Sequence, residues 1–333
     1  MGLRQSVGPK HGQGVLRSAG FRQWGPAAAL LALCVGFGWA EPRFASADNL
    51  RAIADRAAIP LILAVGMTFV VLQGGIDLSV EGTMAVSSLT MALLVLNSRT
   101  GLDFAAAGML LAVLPAFGIG LLSGFAVTRL GVPTFMATLG AWSAALGVAM
   151  LLSGGQPPLI RDQAIRVFGL GRTLGVSNLT WIAALVLAFG HVLQHHTRFG
   201  RYSVAIGGGE NLASVAGLPV ARYKVLALAF CGLLAGVAGV LGSARIGLGH
   251  VDIGIGQMLA TVTALVIGGT SLSGGRGGVV QSAIGTLILA VLANGMIFVG
   301  ITPDIQKAVH GAIILSVTLF ATWPLRSRLR MVP

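Results

Sequence analysis

Ten stretches of this chain run for about 15 to 24 residues with at most one charged side chain each: 24–40, 57–73, 78–97, 104–127, 133–152, 179–195, 224–243, 257–271, 279–299 and 306–323. A helix needs roughly 20 apolar residues to cross the hydrocarbon of a bilayer. That length, repeated, predicts an all-α integral membrane protein with about ten transmembrane helices. The eighth stretch is the shortest and is expected to be broken or tilted. Only 10% of the 333 residues are charged and 55% are hydrophobic, whereas a soluble domain carries about 25% charge. The 49 glycines suit close packing of membrane helices. An outer-membrane barrel would need alternating strands and aromatic girdles, and aromatics make up only 6%.

The net charge of +12 would suggest nucleic acid in a soluble protein. Here its distribution gives another meaning. With the N-terminus in the cytoplasm and alternating crossings, 13 of the 22 Lys and Arg residues fall inside and 9 outside. The inner segments then carry a net +10 and the outer ones +2. The excess predicts both termini inside and no nucleic-acid partner. It divides the chain into a cytoplasmic tail (1–23), a polytopic membrane domain (24–323) and a basic cytoplasmic tail (324–333). Arg4, Lys10, Arg17 and Arg22 before the first stretch, and Ala45-Ser46-Ala47 after it, imitate a signal peptide. Glu41, Pro42 and Arg43 separate the apolar run from that small-residue site, so a retained helix is expected. Residues 44–56 are amphipathic and predict a separate interfacial helix on the outer face. Cys34 and Cys231 sit inside apolar runs, and neither a disulfide nor a metal site is expected.

Enzyme motifs are missing. None of the three lysines follows a glycine, so there is no G-x-x-x-x-G-K-[ST] phosphate loop; no histidine is followed by Glu, and no serine lies in G-x-S-x-G. The most informative stretch is Gly66 to Val80, where an apolar run meets Gly74-Gly75, then Asp77, then Leu78-Ser79 and a new apolar run. Two readings stay open for Asp77. It caps the next helix, or it belongs to a broken helix beside a translocation path, because freed backbone is tolerated in a membrane only where protein or water covers it. A matching Gly-Gly-x-x-Leu-Ser pattern at Gly268-Gly269 and Leu272-Ser273 hints at an internal repeat. Most Ser and Thr in the spans are expected to bond their own backbone. Gln257 and Asn294 cost more to bury and are candidates for lining the path.

Gly74-Gly75-Ile76-Asp77-Leu78-Ser79-Val80 resembles the hallmark of membrane subunits of ATP-binding-cassette importers for monosaccharides, of the ribose, xylose and arabinose type. Four further stretches resemble that family in the same order: Val132 to Gly140, Thr197 to Tyr202 followed by Ala205-Ile206-Gly207-Gly208, Gly268 to Gly277, and Asn294-Gly295. The resemblance covers roughly residues 44–323. It implies a permease subunit of the bacterial inner membrane that works by alternating access and carries no bond chemistry. It implies a second permease subunit, making a homodimer or a pseudo-symmetric pair with the path between the two, two cytoplasmic ATPase subunits, an external sugar-binding protein and surrounding lipid. ATP and magnesium would belong to the ATPase, and this chain would hold no cofactor or metal. A cytoplasmic coupling helix is implied at residues 208–220, with Gly208, Gly209, Glu210, Asn211, Ala213, Ala216 and Gly217 facing the ATPase. Path residues implied by the motifs and the buried polar side chains are Gly74, Gly75, Asp77, Ser79, Phe135, Thr138, Gln257 and Asn294.

The chain also departs from that pattern. Gly209 stands where the family usually has Asn, and Asn211-Leu212 where it has Ala-Ala. Glu81 replaces a usual glycine, and Glu81-Gly82 is similar to the nucleoside-importing branch. The sugar branch often carries an acid near Gln257-Met258-Leu259, where this chain has none until Asp304. A proton-coupled transporter using Asp77, Glu81 and His310 is the rival from another class.

Overall fold

The computed structural model describes residues 12–302 and, with breaks, 305–316, with side chains described from residue 24 onward. Both distal tails and most of the tenth apolar stretch, with Asp304 and His310, lie outside the described residues. The described chain is helical: α1 (Gly12–Ala40), α2 (Ala47–Leu72), α3 (Val80–Leu94), α4 (Ala105–Arg129), α5 (Thr134–Ser153), the short α6 (Gln163–Leu170), α7 (Asn178–His196), α8 (Arg198–Gly208), α9 (Glu210–Val215), α10 (Val220–Ile246), α11 (Gln257–Gly268) and α12 (Val279–Phe298). A two-residue hairpin, β1 (Arg172–Thr173) with β2 (Val176–Ser177), precedes α7. Six helical stretches are long and apolar enough to cross a membrane; α3 and the apolar part of α1 are shorter.

The predicted interfacial helix is not separate. Residues 42–45 form a 3-10 turn, and from Ala47 the chain is already α2. Ser46 caps that helix, its hydroxyl accepting the Asn49 N–H at 3.3 Å, so the charged residues 48–56 form its first turns. The eighth stretch is shortened as expected. The helix begins only at Gln257 and stops at Gly268, where Gly269 takes a left-handed conformation (φ 98°).

α10 is the centre of the bundle and packs against α2, α3 and α4. Small residues allow the approach: a Cβ on Gly239 would overlap the backbone of Met84, and one on Gly232 would lie 2.5 Å from Ala116 O. The connections separate into two groups, as alternating crossings require. At one end, Arg161 N–H donates to Leu96 O (2.8 Å) and Ile160 N–H to Gly247 O (2.9 Å), while Arg245 pairs with Asp55 (2.8 Å). At the other end, residues 72–75, 203–210 and 271–279 meet.

Candidate functional site

α3 does not start where α2 stops. Gly66 of α2 packs on Cys231 of α10, and Gly239, eight residues further along α10, packs on Met84 of α3. At 1.5 Å per helical residue, Glu81 therefore lies about 16 Å above the end of α2, close to halfway through a hydrocarbon core of about 30 Å. Residues 74–79 cover that distance without helix. Asp77 is fully buried on the way, beside the Cys231 thiol. Its Oδ1 accepts Ser79 N–H (2.8 Å) and Ser79 Oγ–H (2.6 Å), and its Oδ2 has no partner. Asp77 thus holds the residue that leads into α3, and the first helical bond is Thr83 N–H to Ser79 O (2.9 Å). Thr138 of α5, also buried, donates to Ile76 O (3.2 Å), and a methyl on Gly75 would lie 3.3 Å from Thr134 Cγ2. Phe135 is about half exposed on the same helix.

A second segment without α-helix descends from the opposite end, broken only by a 3-10 turn at Val251–Gly254. After Gly247, residues 248–256 run along α3: Gly249 packs on Leu89 and Ala92, His250 N–H donates to Ser88 Oγ (3.0 Å), and a Cβ on Gly254 would lie 2.8 Å from the Cα of Glu81. α11 starts at that level. Glu81 Oε1 accepts the Met258 N–H at 3.2 Å, and the neighbouring Gln257 Oε1 is buried without a partner. The two departures noted in the sequence, an added acid at position 81 and a missing one near 257–259, meet here in space. Asn294 is the remaining polar candidate. It is buried on α12 with its Oδ1 unpartnered, and the next residue, Gly295, faces Phe37 of α1.

Below this region the 72–75, 203–210 and 271–279 segments interlock. Gly275 N–H donates to Leu72 O (2.9 Å), and a methyl on Gly274 would lie 2.8 Å from Gly74 N and 2.9 Å from Gly207 Cα. Gln73 Nε2 donates to Ser203 Oγ (2.9 Å) and Tyr223 O (3.2 Å), tying α2 to α8 and α10. Gln194 receives Val279 N–H (2.7 Å) and donates to Gly277 O (3.2 Å). α9 hangs from this platform. Ala213 is buried, whereas Leu212 and Val215 are 76% and 88% exposed, and Gly208, Asn211, Ala216 and Gly217 are exposed with them. Glu210 takes a hydrogen bond from Lys224 Nζ (2.6 Å), beside a cleft of about 840 Å³ that Arg129 and Arg222 also line. The links through Gln73, Gln194 and Glu81 were not foreseen. Their partners lie 85 to 177 residues away for the longest of them, and no local pattern marks them.

Residues 49–318 match the family model described as the branched-chain amino acid transport system / permease component. The chain belongs to that permease family. Ribose import permease protein RbsC of Escherichia coli strain K12 is 36% identical over 295 residues, covering 87% of this chain and 91% of that one. RbsC of Bacillus subtilis strain 168 is 34% identical over 299 residues (89% and 91%). The L-arabinose transport system permease protein AraH of Escherichia coli strain K12 is 30% identical over 279 residues (84% of each). As a member of this permease family the chain is a multi-pass protein of the bacterial inner membrane and a transport component, not an enzyme. ATP hydrolysis and substrate capture belong to separate partner subunits.

Proposed function

We propose that this chain is the permease subunit of an importer for a monosaccharide or related polyol, with both termini in the cytoplasm and ten crossings. The observation that carries the substrate class is the identity to ribose and arabinose permeases along nearly the whole chain. Two copies form a homodimer in lipid, with the path between them. Gly74, Gly75, Asp77, Ser79, Phe135, Thr138, Gln257 and Asn294 contribute to it. The helix-free segment 74–79 and the segment 248–256, which holds only a 3-10 turn, support a path of broken helices at membrane depth, because such backbone persists where protein or a water-filled cavity covers it. A neutral polyhydroxylated cargo suits a path with few charges, since tight contacts would block release.

Residues 208–220 couple the path to the ATPase. α9 offers Leu212 and Val215 to a partner's groove, and its base is wired to the start of the 74–79 segment through Tyr223, Ser203 and Gln73. When the ATPase pair closes on ATP and magnesium, α9 moves and that wiring carries the displacement to the path. Uptake of labelled ribose and arabinose by proteoliposomes holding this chain, its ATPase and its binding protein tests the reading. Uptake that requires all three parts and ATP is expected. Uptake driven by a pH gradient with this chain alone would overturn it in favour of a proton-coupled carrier.

A further inference from the structure

We propose that Glu81 is a positioning residue of the transport path: one carboxylate joins the N-termini of two half-helices and sets where α11 stands. The inference rests on the reading of α11 as part of the path. It begins from an orphan problem. A helix start leaves unbonded N–H groups, and at the surface water takes them. α11 starts near the middle of the membrane after Gly256, which is left-handed (φ 78°) and has no side chain to cap with. Glu81 supplies the missing acceptor from α3, through its bond to Met258 N–H. Glu81 also lies in the first turn of α3 itself. The positive ends of two helix dipoles therefore converge on one carboxylate, which explains how it stands at this depth with no ion pair among the described residues.

The bond matters because little else holds α11 to α3 directly. Among the described residues, it is the hydrogen bond that spans the two helices. The backbone of Gly254 lies against that of Glu81, with no room for a Cβ between them. Just beyond it, Ile255 and Leu259 are 67% and 53% exposed. The Glu81 bond thus fixes which way this exposed pair faces. An acceptor oxygen at the right distance is the requirement, so glutamine satisfies it, whereas glycine or serine does not reach.

The test places a cysteine reporter at Leu259, in a variant with Cys34 and Cys231 replaced by alanine that retains ribose uptake. The whole complex in proteoliposomes is labelled with a charged, water-soluble thiosulfonate. Glu81→Gln is expected to keep the labelling rate within twofold and at least half of the uptake. Glu81→Gly is expected to change the labelling rate at least fivefold and lower uptake tenfold, with melting temperature and ATPase assembly unchanged. Where the glycine variant does not assemble, Glu81→Ser is read in the same way. An unchanged rate in Glu81→Gly overturns the proposal. So does Glu81→Gln behaving like Glu81→Gly, or a melting temperature that falls in step with uptake. No labelling of Leu259→Cys in the presence of Glu81 overturns the path reading itself, whatever the Glu81 variants do.

Discussion

α10 and α5 are two apolar helices with opposite surroundings. In α10, 72% of the most apolar stretch is buried; in α5 it is 17%. Lipid accepts apolar side chains as readily as protein does, so hydrophobicity cannot decide which helix is central. Shape decides it. Gly232 and Gly239 of α10 lie against the backbones of Ala116 and Met84, while Gly140 and Gly147 of α5 have nothing within 4 Å of an added Cβ. A small residue facing open space leaves room for a close approach, and α5 carries that room at Gly140 and Gly147.

Breaking the central side has the largest effect. Gly239→Leu drives a side chain into the Met84 backbone. Overpacking costs about 1–3 kcal/mol and more where backbone must move, so folded, monodisperse protein is expected to disappear in size-exclusion chromatography. Next is Gly75→Leu, which crowds Val70 and Thr134, each 3.2–3.3 Å from an added Cβ. Insertion is expected to survive while uptake is abolished; wild-type transport would remove Gly75 from the mechanism. Glu210→Arg breaks the pair with Lys224 at the membrane end of α9. An exposed ion pair is worth at most about 1 kcal/mol, so melting should hardly move while a pull-down loses the ATPase. Retained ATPase binding counts against the coupling role. The mildest is Gly147→Leu on α5. The single chain should melt as before, and cross-linking between copies should fall; a large loss of thermal stability would mean that this face is already packed within one copy.

Helix positions were legible because a crossing needs length and apolarity, and both are local. α4, α5, α7 and α12 lie within one or two residues of the stretches read from sequence, apart from small extensions. Depth was not legible. Residues 248–256 descend along α3 with a single 3-10 turn at Val251–Gly254 in place of an α-helix, and nothing in their local sequence marks how deep they reach. The same holds for the candidate site. The motif around Asp77 named its own residues, but Glu81 became intelligible only through Met258, 177 positions away. Asn294, noted as a costly polar group, is buried on α12 with an unpartnered Oδ1, a state no local pattern specifies.

α1 has a consequence for the membrane the protein lives in. Trp24 and Trp39 are 70% and 90% exposed, near the two ends of its apolar run. Fifteen residues of helix separate them by about 22 Å, and indole rings settle at the level of the headgroups. α1 touches chiefly α12 and the 3-10 turn, so it can change its tilt without disturbing α10. The pair is a gauge of hydrocarbon thickness. Thin bilayers match it directly, and thicker ones must thin locally around α1, at a strain of fractions of a kcal/mol per Å; uptake is expected to vary with acyl-chain length in defined proteoliposomes.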